Sequence, residues 1–139
     1  VLYNQPATAF VASFLGSPGM NLVRCQALPE PEGTRFVLSG FTLLLPIHLG
    51  EKREVLLGIR PEHLRVLMDY APGTVEAEVE IIQPLGLERI VDLRAGPWVL
   101  KAITPIDLPL RLRQKVWLWW PPESVFVFDA NTEKRIYPG

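Results

Sequence analysis

The chain has 139 residues, 48% of them hydrophobic and 21% charged, with a formal net charge of −1. That is enough apolar material to build a packed core in one domain or in two small fused ones, and it excludes a compositionally disordered chain. The near-neutral balance offers no pull toward a phosphate backbone or an anionic membrane, which sets aside nucleic-acid binding and direct membrane insertion.

No apolar run approaches the roughly 18 residues of a spanning helix, and no basic stretch followed by an apolar one marks a signal peptide. Cys25 is the only cysteine, so neither an internal disulfide nor a multi-cysteine metal site can form. A single thiol suits a cytosolic compartment. The chain opens at Val1 without an initiator methionine and enters patterned sequence at once, which reads as a fragment.

One helix is expected, at the start. Asn4 can cap it and Pro6 sits where a first-turn proline is tolerated. Ala7, Phe10, Val11 and Phe14 then follow helical spacing, and Gly16 is placed to end it. After Pro18 the pattern changes to period two. Strands are expected over Asn21–Ala27, Thr34–Leu38, Phe41–Leu45 and Val55–Ile59, with a two-residue hairpin at Ser39-Gly40. The second half supplies Leu64–Leu67, Gly73–Gln83, Glu88–Arg94, Trp98–Ile103, Lys115–Trp120 and Val125–Asp129. In Thr74–Ile81 acids and apolar residues alternate, which marks a strand with one wet face. Asp129-Ala130-Asn131-Thr132 reads as a turn. The fold class expected is all-β, with one N-terminal helix and short strands forming barrels of the oligonucleotide/oligosaccharide-binding (OB) type. Residues 1–20 are the helical linker and residues 21–139 the β domain, which divides into two fused subdomains near residues 60–72.

No catalytic constellation survives inspection. There is no Gly-x-x-x-x-Gly-Lys-Ser/Thr loop, and no lysine follows Gly16-Ser17-Pro18-Gly19, which reads as a helix-stopping turn. His48 and His63 stand far apart without a ligand cluster, and each reads as a structural or surface histidine. No Gly-x-Ser-x-Gly elbow presents a serine. Glu76 and Glu78 share one solvated strand face. Asp129-x-Asn131-x-Glu133 begins like a calcium loop, but Lys134 stands where the glycine belongs. The remaining feature is Trp117-Leu118-Trp119-Trp120, in which Trp117 and Trp119 share one face and Leu118 and Trp120 the other. Three readings stand: both faces covered between β layers, a protein interface, or a platform for a sugar ring.

Four blocks, in order, carry a family resemblance. Phe10–Asn21 resembles the segment that leaves the ATPase core of maltose- and glycerol-phosphate-type importer ATPases, and Leu2–Pro6 is similar to the end of that core. Leu57-Gly58-Ile59-Arg60-Pro61-Glu62-His63-Leu64 is similar to a characteristic Gly-Ile-Arg-Pro-Glu-His stretch of the same family. Val79–Glu88 resembles the strand, Leu-Gly turn and acid of its accessory barrel. Val125–Asp129 with Lys134-Arg135-Ile136 resembles its closing strand and tail. Leu28–Phe36 and the tryptophan-rich strand depart from the family. Leu38-Ser39-Gly40 is similar to the opening of the ABC signature peptide only by coincidence, since Phe41 follows and no helix opens there.

The resemblance implies a non-catalytic regulatory domain of TOBE type at the C-terminal end of an ABC importer's ATP-binding subunit. It implies no cofactor in this fragment, with ATP and magnesium held by the parent subunit. The partners it implies are a second copy, the chain's own ATPase core, the permease subunits through that core, and a regulatory protein, all at the cytoplasmic face of the cell membrane. Gly16, Ser17, Pro18 and Asn21 in one turn, and Arg60, Pro61, Glu62 and His63 in another, would then position the domain against its core and its twin. Trp117 and Trp119 are the candidate ligand or partner surface. The rival expectation is a free-standing sugar- or small-ligand-binding barrel that uses those two indoles.

Overall fold

The computed structural model describes residue 8, residues 19–38 and residues 41–138. Of the helix expected from Asn4 to Gly16 only Thr8 is described, and it forms an antiparallel β-bridge with Lys134, not a helical turn. The rest of that stretch and the Gly16-Ser17-Pro18 turn lie outside the described residues. The described strands are, in chain order, β1 (Asn21–Glu30), β2 (Gly33–Leu38), β3 (Phe41–Leu45), β4 (Arg53–Ile59), β5 (Arg65–Leu67), β6 (Val75–Leu85), β7 (Glu88–Ala95), β8 (Trp98–Pro105), β9 (Lys115–Trp119), β10 (Phe126–Asp129) and β11 (Arg135–Tyr137). Two three-residue 3₁₀ turns, Pro61–His63 and Pro122–Ser124, are the described helical pieces. The all-β expectation holds.

The chain divides into two compact units, Val1–Ile59 with Pro121–Gly139, and Arg60–Trp120. The first holds an antiparallel sheet in the order β11-β10-β4-β1-β2-β3. Its period-two pattern puts Val23, Cys25 and Ala27 of β1 on one face with Val55, Leu57 and Ile59 of β4 and Phe36 of β2, all buried. β1 runs three residues past the expected Ala27, straight through Pro29. Proline is tolerated there because the β1–β4 ladder stops at Ala27–Arg53, so no partner carbonyl awaits the missing N–H.

The opposite face of this sheet is also apolar at its β10–β4 end. Met20, Phe126 and Phe128 form a buried cluster there, with Leu22 and Leu56 packed against it. The Phe126 and Phe128 rings stack at 6.4 Å between centroids. Gly58 lies opposite Phe126 and Leu22 in the ladders. A Cβ there would sit 2.5 Å from Met20 Sδ and 3.1 Å from the Phe128 ring, so the missing side chain is what lets the cluster close over β4.

The second unit holds a five-stranded antiparallel sheet in the order β5-β9-β6-β7-β8. Val75, Ala77 and Val79 face its core while Glu76 and Glu78 face water, as the alternation predicts. Val91, Leu93, Ala102, Val116 and Leu118 complete that core. The β6–β7 hairpin closes on Leu85–Glu88, and Gly86 takes φ +60° at the first turn position, which a type II′ turn reserves for glycine. A bulge at Glu80 shifts the register between Val79 and Ile81. Arg94 reaches back to the Glu80 carboxylate at 2.6 Å.

Candidate functional site

The Gly-Ile-Arg-Pro-Glu-His stretch folds as the end of β4 running into the first 3₁₀ turn. Arg60 is extended, at φ −71° and ψ 142°, as a residue before proline must be. Pro61 opens the turn, where its missing N–H would have had no partner. His63 N–H then donates to Arg60 C=O at 2.9 Å, and Leu64 N–H to Pro61 C=O at 3.3 Å. Arg60 is only 8% exposed, and Pro61 is buried. Glu62 faces solvent and His63 is half-buried, with its Nδ1 lacking a hydrogen-bond partner among the described residues. Asn21, buried at the start of β1, pairs across the ladder with Ile59, the residue before Arg60. Gly16, Ser17 and Pro18 lie outside the described residues.

The tryptophan strand resolves an ambiguity that period two leaves open. Val116, Leu118 and Trp120 are buried, so Trp117 and Trp119 occupy the outer face of β9. Trp117 is half-buried between Leu67 of β5 and Glu76 of β6 in the ladders, whereas Trp119 is 42% exposed opposite Arg65. The same face continues into charges: Lys115 lies 3.6 Å from Glu76, and Glu78 pairs with Arg94 in the register. Two open depressions, of about 330 and 230 Å³, flank these residues. The first is lined by Glu78–Ile81, Leu112 and Arg113, and the second by Glu76–Glu78, Arg94, Gly96 and Lys115. Neither encloses a ligand with apolar walls as a buried small-molecule site does.

Cys25 and Asp129 are committed to structure. Burial pushes the Cys25 thiol up to about 12, so it is neutral at physiological pH and a poor nucleophile. Native protein should therefore react with a disulfide reagent at pH 8 only through unfolding. Modification at the rate of a free thiol would contradict that. The calcium-like run is an Asx turn. Asp129 accepts the N–H groups of Thr132 and Asn131 at 2.8 Å each, and Arg53 donates to its other oxygen at 2.8 Å. These bonds, with the Thr132 N–H first and Arg53 next, hold its pKa down at about 2 from 3.8. Because the folded value is the depressed one, this contribution is present above about pH 4 and fades as pH falls toward 2. Acid titration of unfolding should show a steeper loss in wild type than in Asp129→Asn across that window; parallel curves would refute the assignment. Among the described residues no group of three His, Cys, Asp or Glu side chains is placed to hold a metal ion. No described helix is long and apolar enough to cross a membrane.

Sequence reasoning passed over the close approaches. The motif around Gly58 carries no sign of its place beneath Met20 and Phe128. Gly33 went unremarked, although a Cβ there would stand 2.1 Å from Leu45 C=O. Beside it, the buried Thr34 hydroxyl donates to Ile47 C=O. The only advance signal was glycine itself inside strand-like sequence.

Two antiparallel sheets of short strands, with a Gly-Ile-Arg-Pro-Glu-His turn at the boundary of two units, define an OB-like accessory module. The TOBE domain family model matches residues 57–128, just over half the chain, and the MalK OB fold domain matches residues 16–64. The chain belongs to the TOBE domain family. It is 34% identical over 136 residues to the sn-glycerol-3-phosphate import ATP-binding protein UgpC of Cereibacter sphaeroides, with 97% of this chain aligned. It is 39% identical over 142 residues to the protein of that name from Chromobacterium violaceum. It spans only 37% and 36% of those relatives' lengths. Among solved structures, the cytoplasmic molybdate-binding protein ModG shares the fold, with a TM-score of 0.63 at 13% identity over 77% of this chain and 94% of that one.

Proposed function

We propose that this chain is the regulatory and dimerisation region of the ATP-binding subunit of an ABC-type importer for a sugar or sugar phosphate. The observation that carries the reading is the co-linear match of the two accessory-domain families across residues 16–128, in a chain that aligns with just over a third of import ATP-binding relatives. Among the described residues the helical pieces are two three-residue 3₁₀ turns. ATP and magnesium belong to the remainder of the parent subunit, at the inner face of the membrane. Permease subunits and any regulatory protein are reached through that assembly.

In this reading the chain holds two ATPase halves together while they open and close. A persistent contact between two copies makes the second ATPase encounter intramolecular and raises its effective concentration. A regulator that docks only on the open arrangement shifts the resting population by its preference between the two states. The Arg60–His63 turn sets the domain's position, with the buried Arg60 as anchor and Pro61 as a rigid corner. The test compares the ATP-binding subunit that carries this chain with the same subunit stopped before Val1, both free of nucleotide. The complete subunit should sediment as a dimer and the shortened one as a monomer. A shortened subunit that stays dimeric would overturn the reading.

The exposure of Trp119 beside Trp117 supports one second reading, a sugar platform on the outer face of β9. It requires a calorimetric signal with sugars that disappears in Trp119→Ala.

A further inference from the structure

The sheet edges of the two units differ in how they are protected. A strand edge presents unpaired N–H and C=O groups, and proteins blunt it with shortness, charge, proline or cover. β11 is three residues long, contains Arg135, and is preceded by Lys134, which bridges to Thr8. β5 is also three residues long and begins with Arg65. β8 carries Lys101, ends in Pro105 and packs against the Pro61–His63 turn. β3 has none of these devices. It is Phe-Thr-Leu-Leu-Leu, it is uncharged, and among the described residues its ladder runs only to β2. Thr42 and Leu44 are exposed.

The register fixes which groups are open. Leu38–Phe41 closes a two-residue connection, so Phe41, Leu43 and Leu45 turn their amides toward β2, and Thr42 and Leu44 turn theirs outward. We propose that this edge pairs antiparallel with β3 of a second copy, about a twofold axis through Leu43, joining two six-stranded sheets into one. The strand is its own complement in that register. Phe41 then pairs with the other copy's Leu45, and Leu43 with its own counterpart. The outward-bonding residues Thr42 and Leu44 meet each other, and each such pair exchanges both of its N–H···O bonds. β3 carries no charged residue, so no like charges oppose across the axis.

The proposal rests on the dimer reading only for the identity of the occupant, and the experiment separates the two. Leu43 lies in the non-hydrogen-bonded position opposite itself, with Cα atoms expected about 4.5 Å apart, close enough for a disulfide. Leu43→Cys in the full chain should form a covalent dimer under mild oxidation. Leu44→Pro, which removes one outward N–H per copy, should weaken dimerisation by about tenfold or more while the fold is kept. A wild-type dimer with a folded, monomeric Leu44→Pro variant and a cross-linking Leu43→Cys supports the edge contact. A wild-type dimer in which Leu43→Cys never cross-links overturns the contact and leaves the dimer reading standing; this arm does not depend on the proline variant folding. A wild-type chain that is monomeric overturns both.

Discussion

Replacing Phe128 with alanine is expected to lower the unfolding free energy by about 3–5 kcal/mol, the range for deleting a fully buried aromatic ring. The ring is fully buried on the second face of the first unit's sheet, stacked on Phe126 and lying over Gly58 with Met20. Truncation leaves a void that those neighbours cannot close, because Gly58 offers no side chain to fill it and the Leu56 ladder pair is held in register. Against a typical total of about 5–15 kcal/mol, a loss of that size brings the unit close to unfolding at 37 °C. Phe128→Leu should cost about 1–2 kcal/mol, since most of the volume remains. Denaturant unfolding checks the size of the effect. Amide exchange should place the lost protection in β1, β4 and β10. A change below about 1 kcal/mol for Phe128→Ala would mean that the second-face cluster is not a packed core.

The second large effect is expected at Gly33. It sits at φ +155° directly after the Pro31-Glu32 connection, and an added Cβ would stand 2.1 Å from Leu45 C=O and 3.0 Å from Pro46 Cα. Both obstacles are backbone, so relief means moving β3 away from β2, and the adjacent Thr34–Ile47 hydrogen bond goes with it. Gly33→Ala should therefore cost about 3 kcal/mol or more, combining steric overlap with an unfavourable φ. Gly73 and Gly50 provide the comparison. They hold φ +80° and +88° with nothing within 4 Å of an added Cβ. Alanine at either should cost only the conformational part, about 1–2 kcal/mol. Thermal melts of the three variants decide the matter. Equal losses at Gly33 and Gly73 would remove the close approach from the account.

Much of this architecture was written in local pattern. The alternation in Thr74–Ile81 placed Glu76 and Glu78 outside and Val75, Ala77 and Val79 inside, because a strand's two faces are fixed by parity alone. The Asp129 turn was legible because its carboxylate bonds to N–H groups only two and three residues away. What could not be read depends on chain segments brought together from a distance. The strand expected over Asn21–Ala27 runs on to Glu30, and only the length of the β4 ladder shows why Pro29 does not stop it. Trp117 and Trp119 could not be assigned a face, since both faces of that strand are apolar and the deciding fact is what packs over Val116 and Leu118. Arg60 carried no mark of its burial beyond the motif around it. The tightness at Gly58 and Gly33 comes from Met20, Phe128 and Leu45, which lie 38, 70 and 12 positions away respectively.

The most direct measurement of the central claim is to read the source gene upstream of the Val1 codon. An open frame that continues into an ATPase is expected there, with a Gly-x-x-x-x-Gly-Lys-Ser/Thr loop followed by a Leu-Ser-Gly-Gly-Gln-like signature and an Asp-Glu pair. A start codon immediately before Val1, or an upstream domain without those motifs, would contradict it. The outer face of β9 would then become the site to pursue.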